Sequence, residues 1–86
     1  MSKFTYIELV ATHIAGRGLG LIEVALSKPS DSEGFVLAYE SHKDEFITWA
    51  FSVREGKVDT FWGHYFSTFE SAAEDFRKRL DRERSF

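Results

Sequence analysis

A chain of 86 residues with no cysteine has room for one domain, and it excludes disulfide staples and cysteine-based zinc sites. Its aromatic content of 16% supplies large side chains to a small core, and its apolar runs fall short of the roughly 20 residues that span a bilayer. The net charge of −3 is unevenly spread: residues 77–86, RKRLDRERSF, hold five basic and two acidic side chains, leaving six and twelve in an acidic body that argues against a polyanionic partner.

The opening MSKFTYIELV does not read as a secretory signal, because Glu8 interrupts its apolar run. With the missing cysteines this predicts a cytoplasmic protein. Residues 4–13, FTYIELVATH, are β-branched and aromatic enough for a strand, with a short helix as the alternative. GRGLG at 16–20 is a turn. It lacks the spacing of a phosphate loop, and the LIEVAL that follows reads as a strand rather than a helix whose N-terminus could hold phosphate.

Residues 20–28 form the next expected strand, with Ile22, Val24 and Leu26 alternating against Glu23 and Ser27. KPSDSEG at 28–34 contains the only proline and is the clearest loop. Strands are expected at 35–40, 46–53 and 58–66. A helix is expected at 68–81, with Ser67 as N-cap and Glu70 completing a capping box. Phe69, Ala72, Ala73, Phe76 and Leu80 form its apolar stripe, and Glu74–Lys78 and Asp75–Arg79 are i,i+4 pairs.

REGK, as a four-residue hairpin loop, sets Val53 opposite Val58, Phe51 opposite Thr60, Trp49 opposite Trp62 and Ile47 opposite His64; the apolar pattern favours this over a three-residue loop, which would set Val53 against Lys57 and Phe51 against Asp59. A loop over SHKDE sets Glu40 opposite Phe46, which brings Phe35, Leu37 and Tyr39 beside Phe51, Trp49 and Ile47. One sheet face then carries Phe35, Leu37, Tyr39, Ile47, Trp49, Phe51, Val53, Val58 and Trp62. It reads as the core face beneath the C-terminal helix. The other face carries Val36, Ala38, Glu40, Phe46, Thr48, Ala50, Phe61, Gly63 and Tyr65, with Phe46 and Tyr65 as cross-strand partners.

The expected fold class is α+β: an antiparallel meander of four to five strands with one C-terminal helix packed on one face, all in a single domain over 1–86. Catalytic arrangements are not expected. His13, His42 and His64 lack metal-ligand spacing, and no G-x-S-x-G elbow occurs. Asp59 and His64 point to opposite faces of an unbroken strand, and Asp44, Glu45, Glu74 and Asp75 read as solvated carboxylates. No cofactor and no metal is expected.

A single helix leaves the second face open, and exposed aromatics around small residues mark an interaction surface. The expected binding residues are Phe46, Thr48, Phe61, Gly63 and Tyr65. FITWAF, FWGHYF and FESAAEDFRKR resemble small uncharacterised proteins of Gram-positive bacteria and their mobile elements, through Thr48-Trp49, Trp62-Gly63-His64-Tyr65-Phe66 and Asp75-Phe76. The resemblance covers the C-terminal half and implies an accessory role, with no activity and no functional residue attached.

The expected function is therefore a non-enzymatic protein-binding module, of the mobile-element accessory or inhibitor kind, whose partner is another protein or a second copy of the chain. Membrane association is not expected. The alternative is a nucleic-acid-associated protein that uses the same face and the basic end of the helix, although no RNP-type aromatic run is present.

Overall fold

The computed structural model describes residues 3–27 and 32–84. Its elements in chain order are α1 (Lys3–Gly16), β1 (Gly20–Leu26), β2 (Glu33–Glu40), β3 (Glu45–Arg54), β4 (Lys57–Phe66) and α2 (Phe69–Arg84). The four strands form one antiparallel meander in the order β1-β2-β3-β4. The α+β class and the C-terminal helix are thus as expected. Residues 28–31 of the expected loop and residues 85–86 of the C-terminal tail lie outside the described residues, while Glu33 and Gly34 already belong to β2.

Residues 4–13, the segment with two readings, are helical. Val10 and Ile14 are completely buried, and Tyr6 and Leu9 pack beside them, which is helical spacing on one face. Burial of that stripe outweighs the weak strand preference of the β-branched residues. GRGLG ends the helix as a Schellman motif. The Leu19 N–H donates to the Ile14 carbonyl, the Gly18 N–H donates to the Ala15 carbonyl, and Gly18 takes φ 76°.

Two core layers result. Beneath α1 lie Leu26, Val36, Ala38, Ile47, Trp49, Phe51 and Val53. Beneath α2 lie Phe35, Leu37 and Ala50, packed by Ala72, Phe76 and Leu80. The expected pairing of α2 with the tryptophan face is therefore corrected: α1 covers that face, and α2 covers the face expected to be open. Ile47, Trp49, Phe51 and Val53 are core residues as expected, under a different helix.

Two register differences account for the exchange. Between β2 and β3, Glu40 pairs with Glu45 and Phe35 with Ala50, one residue away from the expected pairing. A four-residue connection at 41–44 sets this register, with Asp44 at φ 50° and the Tyr39 hydroxyl donating to Asp44 Oδ1 at 2.7 Å. A one-residue slip moves every side chain of a strand to the other face. It puts Phe35, Leu37 and Tyr39 on the same side as Phe46, Thr48 and Ala50.

Between β3 and β4 the expected pairs Val53–Val58 and Phe51–Thr60 are present. They are closed not by the expected four-residue loop but by a two-residue turn, since Arg54 pairs with Lys57; Glu55 and Gly56 both have positive φ, the type I′ pattern that suits a twisted hairpin. Beyond Ala50–Phe61 the register shifts. Thr48 pairs with His64, Ile47 with Tyr65 and Phe46 with Phe66, so the expected Trp49–Trp62, Ile47–His64 and Phe46–Tyr65 partnerships do not form.

The N-cap of α2 is Thr68 rather than Ser67. Thr68 Oγ1 accepts from the Ser71 N–H at 3.2 Å, and the Ala72 N–H donates to the Thr68 carbonyl. Thr68→Ala is therefore expected to lose about 0.5–2 kcal/mol in denaturant melts, with Ser67→Ala close to neutral. The reverse order would restore Ser67 as the cap.

Candidate functional site

The register shift is a β-bulge in which Trp62 and Gly63 together oppose Trp49. Trp62 sits at φ 54°, a left-handed conformation in which a bulky residue is an outlier. The residue is 72% exposed, the most exposed large apolar residue among those described. The Phe61 ring supports it edge-on, with centroids 4.9 Å apart. Gly63 is dictated by space, since a Cβ there would lie 2.6 Å from Trp49 Nε1.

The added residue also rotates the rest of β4, and His64 turns to the α2 side. In an unbulged strand it would face α1.

His64 there meets α2. Its Nδ1 lies 3.0 Å from Asp75 Oδ2, and the same carboxylate oxygen accepts from the Thr48 hydroxyl at 2.6 Å. Arg79 Nη1 donates to Thr48 Oγ1 at 3.0 Å and stands 3.9 Å from Asp75 Oδ2. Its guanidinium carbon lies 4.9 Å from the centre of the Phe35 ring. With the proton on His64 Nδ1 the directions form one set, in which Arg79 donates to Thr48, Thr48 to Asp75 and His64 to Asp75, and the 3.5 Å approach of Arg79 Nη1 to Nδ1 is then a contact and not a hydrogen bond. Among the described residues His64 Nε2 makes no hydrogen bond, and the side chain is half exposed.

The electrostatics follow from this packing. Burial pushes the Asp75 carboxyl up, but the hydrogen bonds from Thr48 and His64 and the charges of His64 and Arg79 outweigh it, so its pKa is lowered. Burial lowers the Arg79 pKa, Asp75 pulls it back, and the charge of Arg82 lowers it further. Lys78 pairs with Glu74 at 2.9 Å on the solvent side. Trp62, His64, Lys78, Arg79 and Arg82 line a cleft of about 310 Å³ whose inner wall is Phe35 and Asp75.

The expected binding residues are dispersed. Thr48 is completely buried as the hub of the polar network. Phe46 is half-buried, with its ring centroid 4.9 Å from Tyr39 and 5.9 Å from Phe69. Phe61 is likewise half-buried in the α2 core. Gly63 backs onto Trp49, and Tyr65 lies on the α1 side, 58% exposed and edge-on to Trp49. None of the five lines the cleft: Thr48 bonds to Asp75 and Arg79 of its lining, Phe61 supports Trp62, and Gly63 lies between Trp62 and His64 in the bulge.

The sequence reading missed Trp62, His64, Asp75 and Arg79 as a group. The available signal was that Asp75 and Arg79 each precede a buried position of the helix stripe, Phe76 and Leu80, and so lie at its edge rather than on the solvated face.

Chemically, the arrangement orients an imidazole with Nε2 outward and gathers cations beside an exposed indole. The Thr48 hydroxyl is not an available nucleophile, because it is buried and its proton is held by Asp75. Among the described residues no group of three histidine or acidic side chains converges as a metal site, and no helix is long and apolar enough to cross a membrane. The fold and site together define a small α+β domain with a bulged edge strand and a polar cleft. Comparison with protein-family models, with curated proteins and with solved structures finds no match.

Proposed function

We propose that the chain is a non-enzymatic module that captures a protein partner along β4, with Trp62 as the anchor. The observation that carries this reading is Trp62 itself. A tryptophan held in a left-handed conformation costs about 1–2 kcal/mol of backbone energy, and this one leaves most of its ring in water. Neither feature helps folding, whereas tryptophan is one of the residues enriched among interface hot spots. β4 is also an edge strand, so its outer backbone groups stand next to the indole. The partner surface therefore moves from the expected aromatic face to the β4 edge. An accessory or inhibitor role fits such a module.

Trp62→Gly tests the reading through two opposite effects. Glycine adopts positive φ freely, so the variant is expected to match the parent in stability or exceed it by up to about 1 kcal/mol. Capture of the partner from nuclease-treated extract of the source cell is expected to fall to background. Full capture by the variant would remove Trp62 as anchor. A bound fraction that disappears on nuclease treatment would make the protein nucleic-acid-associated instead.

A further inference from the structure

We propose that a groove at the β1 edge binds a cationic side chain, lysine or arginine, of a partner polypeptide, with its aliphatic stem along the groove and its charged tip against the Tyr39 and Phe46 rings beside the Asp44 carboxylate. β1 and β4 are opposite edges of the sheet, so this site is separate from the Trp62 anchor and stands by itself. Ile22 is the extra residue of a bulge in β1, unpaired between Leu21–Ala38 and Glu23–Leu37. Ile22 and Leu21 are 41% and 38% exposed, and with Gly20, Tyr39, Asp44 and Phe46 they line a cavity of about 370 Å³. Leu21, Ile22 and Tyr39 belong to neither core layer, and the lining contains no helix residue.

Charge complementarity selects the occupant. The Tyr39 and Phe46 ring centroids lie 4.9 Å apart, and aromatic faces attract cations. Asp44 Oδ1 accepts from the Tyr39 hydroxyl, a neutral donor that leaves the carboxylate charge uncompensated. Among the described residues Asp44 Oδ2 makes no hydrogen bond and Asp44 is in no ion pair. Its neighbour Lys43 lines a different cleft on the α1 side, together with Glu40 and Glu45. Glu23, opposite Leu37, adds a second carboxylate on the same face of the sheet as Tyr39. An apolar trough alone would suit any aliphatic side chain, and a carboxylate alone would suit any cation. Lysine and arginine are the side chains that join a long aliphatic stem to a cationic tip.

The test is an NMR titration of the isotopically labelled full chain with two blocked peptides, acetyl-Ala-Lys-Ala-amide and its norleucine counterpart, which keeps the stem and lacks the ammonium. The lysine peptide is expected to shift the ring signals of Tyr39 and Phe46 and the methyl signals of Ile22. The norleucine peptide is expected to bind about fivefold more weakly, the combined worth of a cation–π contact and an exposed ion pair. Asp44→Asn removes the charge and keeps a residue type that tolerates the φ of 50° at this position. It is expected to weaken the lysine peptide about threefold and to leave the norleucine peptide unchanged. Asp59→Asn makes the same change in net charge on β4, outside the groove, and is expected to alter neither affinity; melting curves confirm that both variants are folded.

Equal binding of the two peptides overturns the cation assignment and makes the groove a purely apolar one. So does an Asp44→Asn variant that binds the lysine peptide as the parent does. Shifts that avoid Tyr39, Phe46 and Ile22, or no response to either peptide, overturn the site outright. None of these outcomes bears on the Trp62 anchor, which is tested by partner capture at the other edge.

Discussion

Trp49→Ala is expected to destabilise the domain by about 3–5 kcal/mol, the range for truncating a buried large aromatic. Trp49 is 6% exposed in the layer between the sheet and α1. Three other features lean on its indole. The Arg17 guanidinium sits 4.7 Å from the ring centroid, Tyr65 meets it edge-on at 6.5 Å, and the bulge passes Gly63 against its Nε1 edge. Removing the ring therefore opens a cavity and also loosens the end of α1 and the backbone that positions His64. Small domains have only about 5–15 kcal/mol to lose, so the variant should sit close to unfolding at moderate denaturant. Denaturant melts check this. A loss below about 1 kcal/mol would mean that α1 does not dock on this face.

Asp75→Ala is expected to cost about 2–4 kcal/mol, because it strands two buried partners at once. The Thr48 hydroxyl loses its acceptor where no water reaches it, and Arg79, whose side chain is 11% exposed, keeps a charge with its nearest counter-charge gone. His64 also loses the partner that orients Nδ1.

Proton linkage gives a second readout. The Asp75 carboxyl is held below its ordinary pKa, so its ionised form stabilises the fold above the unfolded carboxyl range, near pH 4, and that contribution is lost as pH falls through the lowered folded value. Asp75→Asn removes the group that titrates. The stability difference between the parent and this variant should therefore be constant at neutral pH and shrink as the solution is acidified below about pH 4. A difference that is flat down to pH 2, or one that grows on acidification, would contradict the network.

Much of the frame was readable from residue order. The strands at 35–40, 46–53 and 58–66 and the helix at 68–81 match the observed β2, β3, β4 and α2 within a few residues, because alternation, turn residues and the Ala72–Phe76–Leu80 stripe are local signals. The Val53–Val58 pairing followed from apolar pattern with REGK taken as a four-residue loop, and it is present although Arg54 pairs with Lys57 and the turn itself is only Glu55-Gly56. The ambiguity of residues 4–13 could have been narrowed by Gly18, which stands where a helix C-cap needs a left-handed residue, and by the helical spacing of Tyr6, Val10 and Ile14.

The candidate site was much less readable. β2 is apolar on both sides, with Phe35 and Leu37 buried toward one helix and Val36 and Ala38 toward the other. Apolar pattern therefore could not choose its register, and the local contacts of the 41–44 connection did. Likewise Trp62-Gly63 reads as ordinary strand until the approach of Trp49 leaves no room for a Cβ at Gly63. The sequence by itself determined the class, the meander order and the helix that closes the chain, since these depend on periodicities a few residues long. Only the tertiary structure decided which helix covers which face and that His64, Asp75, Thr48 and Arg79 meet. A single residue of register turns every side chain after it, and contacts between residues 11 to 31 positions apart fix that residue.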